Sequence, residues 1–158
     1  MLRELALSDA PGLRRIYRGP GLRFLGRERD MDLSEAVERI GRALAARRAS
    51  PRCEHTFGID VDGDLVGLIT MAVAPPDMPR LGYVLREDAW GHGYASEAVE
   101  VFLAYAFGLP GIEAVGARHH RGNAASGRVL VKAGFSRSSS LDEYVRYAVV
   151  RPGGRTTA

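Results

Sequence analysis

The chain has 158 residues, 26% of them charged and 46% apolar, and a formal net charge of +3. That length suits one domain burying about two thirds of its unfolded surface, and that balance excludes a disordered or fibrous chain. No run approaches the roughly eighteen apolar residues that a membrane span needs, and the residues after Met1 lack the apolar segment of a secretory signal.

Cys53, the one cysteine, rules out an internal disulfide and fits a reducing, cytoplasmic setting. Flanked by Arg52 and Glu54, it reads as an ordinary residue rather than a nucleophile. Charge is unevenly placed. Residues 1–52 hold 12 Arg against 7 acids, whereas residues 53–158 hold 10 basic and 12 acidic residues. The basic half suits an anionic partner such as RNA or a coenzyme phosphate, or is a solvated surface in a chain that uses Arg in place of Lys. Lys132 is the only lysine.

In chain order, Leu2 to Leu7 alternates as a first strand, and Ser8-Asp9-Ala10-Pro11 supplies a cap and an early proline for a helix through Leu13, Ile16 and Tyr17. Gly19-Pro20-Gly21 breaks that helix, and Leu22 to Asp30 reads as an arginine-rich loop. Asp32-Leu33-Ser34-Glu35 has the form of a capping box, opening a helix that ends near Arg47-Arg48. His55–Val61 and Leu65–Val73 form a hairpin across Asp62-Gly63. The prolines of residues 74–79 end the ladder in a loop.

The stretch from Leu81 to Phe107 organises the rest. An apolar strand, Leu81 to Leu85, leads through a polar turn to Trp90-Gly91-His92-Gly93-Tyr94-Ala95, and a helix follows with Ala98, Val99, Phe102 and Ala106 at helical spacing. A glycine loop opening a helix gathers free N–H groups and the positive end of the helix dipole at one place, where phosphate fits. Walker and dinucleotide patterns are absent, and the loop follows several strands rather than the first. Beyond it come a short strand at 112–117, the Arg118-His119-His120-Arg121-Gly122 segment, a helix from Asn123 to a stop at Gly134, a strand from Phe135, a polar turn at Ser138-Ser139-Ser140, and a last strand at 144–150. Residues 152–158 are expected to be a disordered tail, leaving one domain over residues 1–151.

The loop resembles the acyl-coenzyme A loop of the GNAT N-acetyltransferases, whose pattern is Gln/Arg-x-x-Gly-x-Gly/Ala. Gly93 and Ala95 match and Trp90 departs from Gln/Arg. That departure, followed by Ser96-Glu97-Ala98, is similar to the branch of ribosomal-protein N-terminal acetyltransferases. Asn123-Ala124-Ala125-Ser126, followed by Leu130-Val131-Lys132-Ala133-Gly134-Phe135, resembles the same family's second motif, and the order of elements resembles it over nearly the whole chain.

The resemblance implies a single-domain α/β GNAT fold: a mixed, mostly antiparallel central sheet flanked by about four helices. It implies acetyl transfer from acetyl-coenzyme A to a primary amine of a small metabolite or a protein N-terminus. Acyl transfer needs the donor held, the amine deprotonated, the oxyanion stabilised and the thiolate released. By resemblance, N–H groups of His92, Gly93, Tyr94, Ala95 and Ser96 hold the pyrophosphate, and Trp90 and Gly91 belong to the same cofactor-binding loop. The strands around Tyr83-Val84-Leu85 and Val115-Gly116-Ala117 splay around the pantetheine, the Leu85 N–H faces the thioester oxygen, and Asn123 bonds the pantetheine. Ser126 is either a proton source near the sulfur or a second helix cap.

For the general base, His119 stands beside Glu54, His55, His120, Glu113 and a water relay. Adjacent strand residues point to opposite faces, so at most one of His119 and His120 faces the site. His119-His120 lacks the spaced further ligands that zinc needs, so no metal is expected. Two other readings stand beside the acetyltransferase: an aminoacyl-tRNA-using enzyme, which the basic N-terminal half would suit, and a non-catalytic acyl-coenzyme A-binding module. A membrane partner is not expected, and a homodimer is left open.

Overall fold

The computed structural model describes residues 1–75 and 77–153. Seven strands form one sheet in the order β1-β2-β3-β4-β5-β7-β6. They are β1 (Leu2–Arg3), β2 (Glu54–Val61), β3 (Asp64–Ala72), β4 (Arg80–Leu85), β5 (Ala114–His120), β6 (Ser136–Leu141) and β7 (Tyr144–Val150). Every pairing is antiparallel except β4 with β5. The four α-helices are α1 (Ala10–Ile16), α2 (Leu33–Arg48), α3 (Tyr94–Gly108) and α4 (Ala124–Lys132).

The helices cover the two faces unequally. Leu13, Ile16, Ala36 and Ile40 of α1 and α2 pack with Leu65 and Leu68 of β3 to form one core. Val99, Phe102 and Ala106 of α3 and Leu130 of α4 pack with Ile69, Leu81 and Val115 on the opposite face to form the other. Period-2 alternation in the strands feeds both cores, so each strand residue is committed to one of them. The β2–β3 hairpin turns through Asp62 and Gly63, both at positive φ as its two-residue turn requires. The capping box of α2 is present, with Glu35 N–H bonding Asp32 Oδ1 at 2.9 Å and Asp32 N–H bonding Glu35 Oε2 at 3.0 Å.

Four expectations are corrected. The first strand is only Leu2–Arg3. Arg3 binds both Asp9 and Asp60, at 2.8 and 2.7 Å, and the chain turns at once so that Leu5 enters the core. That guanidinium also holds both carboxyls below their usual range. Pro20–Leu25 is a 3-10 turn rather than a loop. Strand β5 extends to His120, because His119 and His120 pair with Val145 and Tyr144 of β7. Ser138, Ser139 and Ser140 lie inside β6, with an irregularity between Arg137 and Ser139, and the turn falls at Asp142. In an exposed edge strand the ladder hydrogen bonds decide, not the side chains. The expected tail lies, from Gly154 on, outside the described residues.

Candidate active site

The site starts from the one parallel pairing. Strands β4 and β5 are joined only at Arg80 with Gly116 and Leu81 with Ala117, and beyond those pairs they diverge. The opening therefore lies between Tyr83-Val84-Leu85 and the far half of β5, Arg118 to His120, one step along from the Val115-Gly116-Ala117 segment expected to flank it. The Arg86 N–H bonds Val66 O at 2.8 Å on the β3 side. Alternation along the antiparallel ladder then turns the N–H groups of Tyr83 and Leu85 the other way, into the opening. Helix-rich connections cross above it, and two cavities meet there.

The first cavity, about 420 Å³, is bounded by Leu85, Gly91, Gly93, Ala95 and Ser96 on one side and by Asn123 and Ser126 on the other. Gly91 and Gly93 both have positive φ, 78° and 83°, and a Cβ on either would meet no protein atom within 4 Å. Helix α3 begins at Tyr94 with Gly93 as its N-cap and no side chain capping it. The first N–H groups of a fifteen-residue helix thus open onto a cavity that their own loop leaves clear. This is what a phosphate group needs, so the residues present fit a coenzyme A pyrophosphate. Arg128 and Lys132 of α4 line the same cavity and add positive charge.

Two loop residues sit differently from their neighbours. The Trp90 indole N–H donates to the Leu85 carbonyl at 3.1 Å, and its ring lies where a side chain on Gly21 would be. Trp90 thereby ties the end of β4 to the Pro20–Leu25 turn. The turn is also held by Gly21 N–H, which donates to Glu87 Oε1 at 2.7 Å. The His92 ring stacks on Tyr94, 5.4 Å between centroids, and does not line the cavity.

At the inner end, Asn123 Oδ1 accepts from the Ser126 N–H at 3.3 Å, so Asn123 is the cap of α4. The Ser126 hydroxyl is instead 2.7 Å from the Tyr83 hydroxyl. Burial pushes Tyr83 up to about 12, and the Ser126 hydrogen bond offsets part of that. The phenol is therefore neutral at any ordinary pH. Tyr83 was not singled out from sequence as a side chain, yet the signal was available. It sits two residues before Leu85 on one strand, so its ring shares a face with that residue.

The two histidines point to opposite faces. His119 is buried beneath α4, its Nδ1–H donating to the His120 carbonyl at 2.8 Å and its Nε2 accepting from the Tyr147 hydroxyl at 3.2 Å. A Cβ at Gly127 would lie 2.7 Å from that Nε2, so α4 can close over the ring only with glycine there. His120 Nδ1 accepts from Gly122 N–H at 3.0 Å, and its ring packs between Phe24 and Tyr144. The other base candidates lie elsewhere. His55 is buried against Tyr105, with burial lowering its pKa, and Glu113 is an exposed partner of Arg151.

The second cavity, about 790 Å³, opens from Tyr83 and Ser126 along β5 and β7. Phe24 and Leu25 of the 3-10 turn line both cavities, so this turn roofs the junction between them. In the basic N-terminal half that would suit RNA, Arg15, Arg18, Arg27 and Arg29 are ion-paired with Asp64, Asp30 and Glu35. Among the described residues there is no cluster that could hold a metal ion and no helix long and apolar enough to cross a membrane.

Comparison with known proteins agrees with this geometry. An acetyltransferase (GNAT) domain model matches residues 1–136. The Bacillus subtilis (strain 168) uncharacterized N-acetyltransferase YoaA is 30% identical, across 96% of this chain and 93% of its own. The chain therefore belongs to the GNAT acetyltransferase family, and GNAT-type acetyltransferase activity with acetyl-coenzyme A as donor follows from that membership. Among solved structures, a Vibrio cholerae spermidine N-acetyltransferase bound to coenzyme A and spermine superposes with a TM-score of 0.80 at 14% identity, over 96% of this chain and 95% of that one. RimL, a ribosomal L7/L12 alpha-N-protein acetyltransferase bound to coenzyme A, gives 0.79 at 16% identity, over 94% and 92%. Two acceptors this different on equally similar structures mean that the likeness is one of fold.

Proposed function

We propose that the chain transfers the acetyl group of acetyl-coenzyme A to a primary amine, on a small metabolite or a protein N-terminus, in the cytoplasm. The observation that carries this reading is the continuity of the two cavities. The uncapped start of α3 lies at the donor end, and the paired hydroxyls of Ser126 and Tyr83 stand where the donor cavity meets the second one. The Trp90 form of the loop favours the branch that acts on protein N-termini or small amines.

In this reading the amine nitrogen attacks the thioester carbonyl carbon from the second cavity, the new C–N bond forms and the C–S bond breaks. The Leu85 N–H faces the carbonyl oxygen as charge builds there, a contact that strengthens in the transition state. The proton that the nitrogen sheds is the one that the sulfur gains. It passes through water and the Ser126 hydroxyl, which the neutral Tyr83 phenol orients. His119 acts through Tyr147 to hold the end of β5 against β7 beneath α4, rather than by touching the amine. N–H groups of the 90–96 loop and Asn123 hold the donor.

Mass spectrometry of the protein with acetyl-coenzyme A and a panel of primary amines and peptides tests this. One or more products heavier by an acetyl group are expected. Binding of coenzyme A without transfer to any amine would overturn the catalytic reading in favour of a binding module.

A further inference from the structure

The second cavity holds an imbalance of charge. Arg39, Arg80, Arg118 and Arg146 line it, against a single acid, Asp77. Other arginines, Arg3, Arg27, Arg86 and Arg151 among them, have carboxylates within 4.0 Å. Among the described residues none of the four cavity arginines has such a partner.

Two of the four are set against each other. Arg118 of β5 lies directly opposite Arg146 of β7 in the antiparallel ladder, so both side chains stand on one face with their Cβ atoms about 5 Å apart. Like charges so placed repel, and an anion between or above these two exposed side chains relieves that repulsion. The core-facing residues of α1 and α2 pack over β3 and the adjoining core rather than over this pair. The floor beside the pair is small-sided: Gly116 and Ala148 are opposite one another two pairings along, the next pair on the same face, and a Cβ at Gly82 would meet nothing within 4 Å. Arg118 is held in place by the Tyr144 ring, 4.4 Å from its guanidinium carbon, which leaves the guanidinium edge free to donate. On the opposite wall the Arg39 guanidinium lies over Tyr17 at 5.2 Å, and its Nε is buried with no hydrogen-bond partner.

We propose that the acceptor is an amine that also carries an anionic group, a carboxylate or a phosphate, held by Arg118 and Arg146. The proposal rests on the acetyltransferase reading and names the substrate class of the same cleft. Planar guanidinium groups bind both oxyanions in bidentate fashion, so the shared chemistry is the anion itself. On β5, Arg118 lies two residues back from His120, about 7 Å along the strand. Both arginines line the same cavity as Tyr83 and Ser126, so the anion and the reacting amine belong to one molecule in that cavity. A polycation is repelled by the same four arginines.

The test compares matched amines in wild type and in the double variant Arg118→Gln with Arg146→Gln. One pair is glucosamine and glucosamine 6-phosphate. The other is the peptide amides Ser-Asn-Ala and Ser-Asp-Ala, with spermidine as the cationic control. The anionic member of one pair is expected to show at least tenfold higher kcat/KM, and which pair responds separates phosphate from carboxylate. In the double variant that ratio should fall below twofold, while coenzyme A affinity stays at its wild-type value and the thermal midpoint does not fall. A preference for neutral or cationic amines, or a ratio that survives the double substitution, overturns the proposal. If no amine is acetylated, the acetyltransferase reading fails. Calorimetry of the same anionic amines with the coenzyme A-bound protein then decides this one: tenfold weaker binding in the variant sustains it, and unchanged or absent binding overturns it.

Discussion

The donor and acceptor ends of the cleft are built in opposite ways. The donor end rests on α3, whose Val99, Phe102 and Ala106 are fully buried, and its chemistry is delivered by backbone N–H groups at a helix start. The acceptor end rests on β5, β7 and the edge strand β6, whose residues are all exposed, and its chemistry is delivered by long side chains. Backbone donors on a packed helix hold one ligand in one place. Side chains on an open half-sheet can be exchanged with little cost to the fold, so a common donor can be combined with differing acceptors.

The largest expected effect strikes the base of the donor end. Phe102 is fully buried and packs edge-on against Phe57 and Tyr105. Phe102→Ala should cost about 3–5 kcal/mol of stability, read from urea unfolding. A loss below about 1 kcal/mol would mean that α3 is not the rigid platform described.

Next come the hydroxyls at the joint between the two ends. Ser126→Ala and Tyr83→Phe should each lower kcat about a hundredfold, the lower end of the range for positioned proton transfer, and shift coenzyme A affinity far less. The pH profile sharpens this. Tyr83 titrates at about 12 in the folded chain and near 10 when unfolded. The folded state therefore keeps its proton longer, so stability falls as pH rises above about 10, and Tyr83→Phe removes that loss. For the same reason kcat should show no alkaline limb near 10 from this group. If Ser126→Ala transfers acetyl at the wild-type rate, the hydroxyl pair has no part in the reaction.

Gly93→Val tests the donor loop itself. It should weaken coenzyme A binding at least tenfold, about 1.4 kcal/mol, through a side chain in the phosphate space and a φ of 83° that β-branched residues resist. Calorimetry on a variant shown to be folded by circular dichroism checks it, and wild-type affinity would remove the phosphate from this loop. The smallest effect belongs to the acceptor rim. Ser139→Ala on exposed β6 should change stability by less than about 0.5 kcal/mol, and a large loss would break the contrast between the two ends.

By itself the sequence determined whatever depends on short-range pattern. Helical spacing in Ala98, Val99, Phe102 and Ala106, the Asp62-Gly63 turn, the Asp32–Glu35 box and the glycine loop are each written within a few residues, and each element stands where its pattern puts it. One further stripe was legible but unused: Ala125, Arg128, Val129 and Lys132 recur at helical spacing and all line the donor cavity. Only the tertiary structure decided the rest. Leu2 to Leu7 alternates like a strand, yet Arg3 finds Asp60 across 57 residues and the strand stops. Three serines look like a turn, yet β7 offers them a ladder. Arg118 and Arg146 are 28 residues apart and face each other only because β5 and β7 pair in that register, and Tyr83 meets Ser126 only across the opening that β4 and β5 leave. Local pattern specifies elements because its physics acts over one or two turns of chain. A cleft is made of side chains from distant elements, and their meeting is set by register and packing.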